Sequence, residues 1–227
     1  MKKPYIKKYR NYYHTKVYFV DGDFVRGKID EEFTNFGQHF RFKFIPENEF
    51  WIDKERTSGE ADFFVEHMFI ERKLMREGKS YVEAIDFADK IEKRERARSD
   101  LAKEIRKLPL DEVLNKIRKQ KISSCGKTNI WIVSGEIVRD TFNIDFTEGG
   151  HDRVYPFVPE NEVWIDDDLS KEERKFVLIH ELNERYLMGK GKKYNDAHFP
   201  SSRLEYFCRK TKVFTNLILW YVKFLNR

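Results

Sequence analysis

The segment Pro159-Glu160-Asn161-Glu162-Val163-Trp164-Ile165-Asp166 decides the fold, because the chain contains it twice. An offset of 113 residues places it on Pro46-Glu47-Asn48-Glu49-Phe50-Trp51-Ile52-Asp53. Extended outward, the match pairs Val17–Asp53 with Ile130–Asp166 without a gap, with 15 identical residues among 37. A match of this length indicates an internal duplication, so each copy is a control for the other. Residues shared by both copies are expected to maintain the fold, and residues present in one copy only are candidates for chemistry.

The composition predicts a folded protein with a strongly charged surface. The 227 residues are 40% hydrophobic and 37% charged, with a formal net charge of +5. This length accommodates two domains of about 100 residues, each large enough for its own core. The modest basic charge permits contact with nucleic acid or another anionic surface but does not require it.

Several features predict a cytoplasmic protein without a membrane span. Cys125 and Cys208 show no spacing motif, so we expect free thiols in a reducing compartment. The basic N-terminal residues are not followed by the apolar run of a secretory signal. No segment reaches the roughly 18 apolar residues that a membrane-spanning helix needs.

Each copy begins with a pattern typical of short strands. Val17–Arg26 alternates around Asp21-Gly22, which predicts a hairpin with an Asp-Gly turn, and Ser134-Gly135 takes this place in the second copy. Three further segments of the first copy have extended character: Ile29–Thr34, Phe40–Ile45 and Phe50–Asp53. We therefore expect about four short strands per copy in an antiparallel sheet.

Two helices are predicted after the strands of each copy. The matched capping boxes Thr57-x-x-Glu60 and Ser170-x-x-Glu173 mark where the first helix begins. The second helix is expected at Tyr81–Arg98 in the first copy and at Tyr194–Lys210 in the second.

The predicted fold class is α+β, with two tandem copies of a small antiparallel sheet followed by two helices. The expected segments are a first repeat at 1–98, a charged helical connector at 99–129, a second repeat at 130–210 and an apolar C-terminal helix at 211–227. We expect the last helix to dock on the protein, with insertion at a membrane interface as the alternative.

One difference between the copies carries potential chemistry. The second copy has His180-Glu181-Leu182-Asn183-Glu184 where the first has His67-Met68-Phe69-Ile70-Glu71. His180 and Glu184 are one helical turn apart, so both can reach one metal ion, and Glu181 lies beside them. The following helix offers His198 and Glu205 as a third ligand, and a water molecule in the fourth position would complete a catalytic site.

The segment Phe176–Glu205 resembles the zincin metallopeptidases, with Glu184 in place of the second histidine of the HExxH helix. The resemblance implies a peptidase-like hydrolase that binds Zn²⁺, or another divalent metal, and acts on a peptide or protein substrate. It implies that His180 and Glu184 are ligands, that Glu205 or His198 is the third ligand, and that Glu181 is the general base.

The first copy supports two interpretations of this pattern. It keeps His67, Glu71 and Glu92, the equivalents of His180, Glu184 and Glu205, but has Met68 and Ile85 where the second copy has Glu181 and His198. Either the histidine–glutamate pair is structural in both copies, or the first copy is an inactive remnant of an old site.

Two other features are candidates for binding. His151-Asp152 replaces Gln38-His39 of the first copy and is a possible substrate-binding pair. The N-terminus interleaves Lys and Tyr residues, which can contact phosphates and stack on bases. The alternative function is therefore a non-catalytic duplicated module that binds nucleic acid or a protein partner.

Overall fold

The chain forms two compact α+β units, which confirms the predicted fold class and the duplication. The computed structural model describes residues 4–54 and 59–227. One unit extends to Lys107 and the other begins at Leu108. Each unit contains a four-stranded sheet and its own buried apolar clusters.

The first unit begins with four strands interrupted by a short helix and ends in three helices. Its elements are β1 (Tyr5–Tyr12), β2 (Thr15–Val20), α1 (Gly22–Lys28), β3 (Phe36–Gln38), β4 (Glu49–Asp53), α2 (Ala61–Arg76), α3 (Tyr81–Arg96) and α4 (Asp100–Ile105).

The second unit repeats this order after one additional helix. Its elements are α5 (Leu110–Ile117), β5 (Arg118–Cys125), β6 (Thr128–Val133), α6 (Gly135–Thr141), β7 (Gly149–His151), β8 (Glu162–Asp166), α7 (Glu173–Gly189), α8 (Tyr194–Lys210) and α9 (Thr215–Leu225). The predicted second helix at Tyr194–Lys210 coincides with α8, which continues through Pro200.

Both sheets have the same strand order, β1-β2-β4-β3 and β5-β6-β8-β7. Two of the three pairings in each sheet are antiparallel, but β2 with β4 and β6 with β8 are parallel. Both sheets are therefore mixed. The two strands of each parallel pair are joined by a crossover connection that contains a short helix. The helix that carries the histidine–glutamate pair, α7, packs against β7 and β8.

The predicted Asp-Gly hairpin is wrong, because Asp21 is the N-cap of α1 and accepts a hydrogen bond from the Phe24 N–H at 3.2 Å. Gly22 is required by a close approach, since a Cβ there would collide with the Asp53 carboxylate. That carboxylate binds Arg26 on the same helix at 2.7 Å. The second unit repeats the arrangement with Gly135, Arg139 and Asp166.

Two other predicted strands are also wrong. Ile29–Thr34 and Phe40–Ile45 form turns and irregular segments, and the strand between them is the short β3. Their aromatic residues Phe33 and Phe42 are buried beside Trp51, so the apolar pattern reflects burial in loops rather than pairing in a sheet.

The N-terminal segment, which was a candidate for binding nucleic acid, forms the ordered edge strand β1. In β1 the Tyr5 ring packs edge-on against Tyr18 and Trp51, and the Tyr9 ring packs against Phe19. These rings stabilise the sheet, whereas the lysines between them are exposed. Charged side chains on an edge strand discourage pairing with other chains, so their placement has a structural explanation.

The connector predicted at 99–129 is only partly helical. It contains α4 and α5, but Arg118–Cys125 form the edge strand β5 of the second sheet, and β6 already begins at Thr128. Cys125 and Cys208 are both free and buried, and both belong to the apolar core of the second unit.

The C-terminal helix docks on its own unit, as expected. Val222 of α9 lies in the core beside Leu182, and the Asn226 side chain donates to the Leu182 carbonyl at 2.8 Å. Among the residues that the structure describes, no helix is long and apolar enough to cross a membrane.

One of the two hydrogen bonds of the predicted capping box at Ser170 is formed, although the N-cap of α7 is Glu172 and makes no side-chain cap. The Ser170 hydroxyl accepts a hydrogen bond from the Glu173 N–H at 3.2 Å, whereas the matching Thr57 lies outside the described residues.

A chain of buried ionic hydrogen bonds joins the two principal helices in each unit. In the first unit Arg96 binds Glu60 at 3.0 Å and Glu92 at 2.8 Å, and Glu92 contacts His67 Nδ1 at 2.8 Å. His67 Nε2 lies 3.4 Å from Glu71. The second unit has the same chain in Arg209, Glu173, Glu205, His180 and Glu184. Because both copies keep this series of ionic contacts, we infer that it stabilises the fold.

The glycine at the start of α1 gives a stability prediction. Gly22→Ala should lower the free energy of unfolding by about 1–3 kcal/mol, because its Cβ forces Asp53 away from Arg26. Gly27→Ala in the same helix is the matched control, since a Cβ there meets nothing within 4 Å. It should raise stability by about 0.5–1 kcal/mol. Urea unfolding of both variants measures the difference, and equal effects would contradict the close-approach explanation.

The buried histidine of the first unit gives a pH prediction. Burial opposes charging of His67, but hydrogen bonds with Glu71 and Glu92 raise its pKa to about 9. A raised pKa stabilises the fold fully below the unfolded value of about 6.5, and this stabilisation is lost as pH rises through 9. We expect the unit to lose about 2–3 kcal/mol over this interval, and His67→Gln to remove that dependence. An imidazole NMR titration of His67 with a midpoint near the unperturbed value would contradict it.

Candidate metal centre

The centre of the candidate site is the pair of residues one turn apart on α7. His180 Nε2 lies 3.5 Å from Glu184 Oε2, and both side chains are buried. His180 Nδ1 contacts Glu205 Oε2 at 3.0 Å. A carboxylate on Nδ1 fixes the ring orientation and directs Nε2 towards Glu184, which is how metal-binding histidines are commonly held.

His198 reaches the same carboxylate from α8. Its Nδ1 lies 2.8 Å from Glu184 Oε2, and its ring centroid is 4.8 Å from that of His180. Potential ligand atoms of His180, Glu184 and His198 all lie within 4.8 Å of one another. Two imidazoles and one carboxylate are a ligand set that catalytic zinc sites use.

The two candidates for a third ligand therefore have different positions. His198 joins the pair directly, whereas Glu205 lies behind His180, between that ring and Arg209. Burial alone would raise the pKa of Glu205, but His180 and Arg209 lower it to about 2. Glu205 is thus a charged anchor for His180, in the same place as Glu92 behind His67.

The edge strand β7 adds a third histidine to this cluster. His151 is fully buried and its Nε2 lies 3.0 Å from Glu184 Oε1. The Arg153 N–H donates to His151 Nδ1 at 3.2 Å. Burial lowers the pKa of His151, although Glu184 opposes this effect. In the resulting neutral ring Nδ1 is an acceptor, so Nε2 carries the hydrogen and donates it to Glu184. His151 positions the Glu184 carboxylate.

Glu181 occupies the inner side of the cluster. It is buried, and one of its carboxylate oxygens lies within 4.8 Å of ligand atoms of His151 and Glu184. Burial raises the pKa of Glu181 to about 8, with Glu184 adding to the rise and His180 opposing it. Burial would also raise the pKa of Glu184, but hydrogen bonds with the three histidines lower it below its ordinary range. Glu181 therefore holds a proton more tightly than an ordinary glutamate, and Glu184 holds one less tightly.

Several carboxylates surround Glu181 inside the second unit. Glu148, Glu184 and Glu205 each raise the pKa of Glu181 by electrostatic repulsion. Placing several carboxylates at low dielectric is costly unless cations offset them. His180 and Arg209 supply part of that positive charge, and a divalent cation at the His180–Glu184–His198 cluster would supply more.

The first copy has other residues at the positions of His151, Glu181 and His198. Gln38 replaces His151 and donates to Glu71 Oε1 at 2.5 Å. Met68, in place of Glu181, is fully buried in the apolar core, and Ile85 takes the position of His198. The second copy therefore gathers three residues with ligand or acid–base groups, His151, Glu181 and His198, around one His–Glu pair, where the first copy has an amide and two apolar side chains.

Further differences at the site escaped the sequence analysis. Phe36 packs on His67 with a ring distance of 5.1 Å, but its counterpart is Gly149, where a Cβ would contact Val177 and Glu181. Tyr155 replaces Phe42 and so adds a hydroxyl group to the second copy. The alignment of the two copies already contained both differences, but only their shared position near Glu181 reveals their relevance.

Two tyrosines line the candidate site. Tyr194 stacks on His198 with ring centroids 5.1 Å apart. Burial and the nearby Glu184 and Glu181 raise the pKa of Tyr194 to about 12, and burial and Glu181 raise that of Tyr155. Both phenols therefore keep their protons at neutral pH and can donate hydrogen bonds to a charged oxygen.

The second member of the predicted substrate-binding pair has a structural partner. Both oxygens of Asp152 accept hydrogen bonds from Arg185, at 2.7 and 3.0 Å. Arg185 also donates to Thr128 and Asn161, so this ion pair ties α7 to the sheet and its loops. The run Asp166-Asp167-Asp168 also meets the geometric criterion for a metal site. Arg139 and Lys119 form ion pairs with it, so cations of the chain already balance its charge.

Comparisons with known proteins add no assignment to this geometry. The chain matched no protein-family model, no curated protein sequence and no solved structure.

Proposed function

We propose that the second unit is a zincin-like, metal-dependent hydrolase with peptidase-like chemistry, and that the first unit is its inactive copy. One observation carries the proposal. Three residues with ligand or acid–base groups that the first copy lacks at the equivalent positions, His151, Glu181 and His198, converge on the His180–Glu184 pair that both copies share. Neutral substitution of surface residues is not expected to place three such residues around one buried carboxylate.

His180, Glu184 and His198 would hold the metal, with Zn²⁺ as the preferred ion. The ligand types favour zinc because imidazole nitrogen and carboxylate oxygen are both common zinc ligands. Three protein ligands leave a fourth position for water, and the bound ion would lower the pKa of that water and polarise a substrate carbonyl.

The remaining residues of the site have complementary roles in hydrolysis. Glu181 accepts the proton of the attacking water, because its burial gives it a proton affinity suited to that exchange. His151 holds Glu184 in position, and Glu205 holds His180.

Tyr155 and Tyr194 are available to stabilise negative charge on the substrate oxygen. Gly149 lets Val177 and Glu181 approach the backbone closely at the position that Phe36 has in the first unit.

The first experiment is a measurement of bound metal in the untagged, full-length chain. We expect about one zinc per chain, because the ligand set is complete only in the second unit. His198→Ile should lose the metal while keeping the fold, since Ile85 occupies the equivalent position in the first unit. His67→Gln is the control in the other copy and should keep the metal. A wild-type chain that remains free of metal after zinc addition would overturn the proposal.

The role of Glu181 is tested separately from metal binding. Glu181→Gln should retain the metal and reduce cleavage of a quenched peptide library by about 10²–10⁴-fold, because the proton acceptor is lost. Glu181→Met copies Met68 and should raise the free energy of unfolding by about 1–4 kcal/mol, since a buried carboxyl becomes apolar. Wild-type turnover in the metal-loaded Glu181→Gln protein would refute its role as the general base.

A further inference from the structure

The C-terminal helix α9 is apolar on two opposite faces, and the fold uses only one of them. Ile218, Leu219 and Val222 face the core of the second unit. The other face is exposed and follows helical spacing of i, i+3, i+4 and i+7. Its members are Leu217, Trp220, Tyr221 and Phe224, each between 51% and 62% exposed. We call these four residues the outer face.

The turn before α9 extends this surface. Val213 is 89% exposed and Phe214 is half-exposed in the short 3₁₀ turn Lys212–Phe214. Trp220 and Phe224 stack on each other with ring centroids 5.9 Å apart. Scattered exposed apolar residues are ordinary, but a short segment that exposes six of them is typical of a binding surface.

The basic residues of the same segment favour a negatively charged partner for the outer face. The segment Tyr206–Arg227 contains five basic residues and no aspartate or glutamate. Arg209 is engaged in the buried ionic chain, but Lys210, Lys212 and Arg227 are exposed beside the apolar residues. Tryptophan and tyrosine beside lysine and arginine are the combination that membrane–water interfaces favour.

A second copy of the chain fits this surface less well. A symmetric dimer through the outer face would bring the same basic residues together, and this segment has no aspartate or glutamate to pair with them. An anionic bilayer, in contrast, attracts each of these cations and receives the apolar side chains below its headgroups.

We propose that α9 and the preceding turn attach the protein peripherally to an anionic lipid bilayer, with the outer face inserted at the headgroup level. The helix lies in the plane of the membrane surface, because its inner face remains in the protein core. This proposal is independent of the metal site and does not depend on hydrolase activity.

The test is co-sedimentation of the full-length protein with phosphatidylcholine vesicles, with and without phosphatidylserine. We expect strong binding to vesicles that contain phosphatidylserine, weaker binding to phosphatidylcholine alone, and a decrease with salt. The double variant Trp220→Ser/Phe224→Ser should reduce the partition coefficient by about tenfold or more. Lys210→Gln/Lys212→Gln should remove much of the preference for phosphatidylserine while leaving the weaker binding.

The chain offers a matched control for lost apolar surface. Val82 and Phe87 on α3 are 72% and 51% exposed, so Val82→Ser/Phe87→Ser removes similar groups far from α9 in sequence and should leave vesicle binding unchanged. All altered side chains are exposed, and unchanged thermal unfolding midpoints would verify the folds. Equal loss of binding in this control, or no vesicle binding by the wild type, would overturn the proposal. So would a concentration-dependent dimer in light scattering that Trp220→Ser/Phe224→Ser makes monomeric.

Discussion

The hydrogen bond between His180 Nδ1 and Glu205 is the constraint on which the second unit depends. It joins the two principal helices, and its carboxylate is held by Arg209, which also binds Glu173 at the start of α7. One end of this chain secures the packing of α8 on α7. The other end fixes the ring of His180 so that Nε2 points at Glu184. A single ionic chain therefore serves both stability and the arrangement of potential ligands.

The first unit explains which part of that arrangement is structural. It has the same series of ionic contacts from Arg96 through Glu92 to His67, but there Glu71 accepts a hydrogen bond from the Gln38 amide, which takes the place of the His151 imidazole. In the second unit Glu184 instead receives three imidazoles, and Glu181 is buried where Met68 packs in the core. Replacing apolar contacts by a buried carboxyl is unfavourable for stability. Such a cost is typical of sites where chemistry rather than packing determines the residue.

The proposed chemistry and the proposed membrane contact use different parts of the second unit. The proposed metal site lies where β7, α7 and α8 meet, whereas the outer face belongs to α9 on the exposed side of the same core. If both proposals hold, the hydrolase would act near a lipid surface. The two can be tested independently, because none of the outer-face residues contributes to the cluster around Glu184.

The sequence by itself determined the duplication, the α+β class, the helix that carries His180 and Glu184, and the short set of residues that could join them. These features are local, because they depend on an ungapped repeat and on side chains one helical turn apart. The sequence predicted a hairpin turn at Asp21-Gly22, where a helix begins. Gly22 is needed because Asp53 lies against it, and Asp53 is distant in the sequence. Only the tertiary structure showed that His198 lies beside Glu184 whereas Glu205 lies behind His180, and that His151 reaches Glu184 from an edge strand. Those positions depend on how α8 and β7 pack against α7, and packing between distant segments is not encoded in the spacing of residues along one helix.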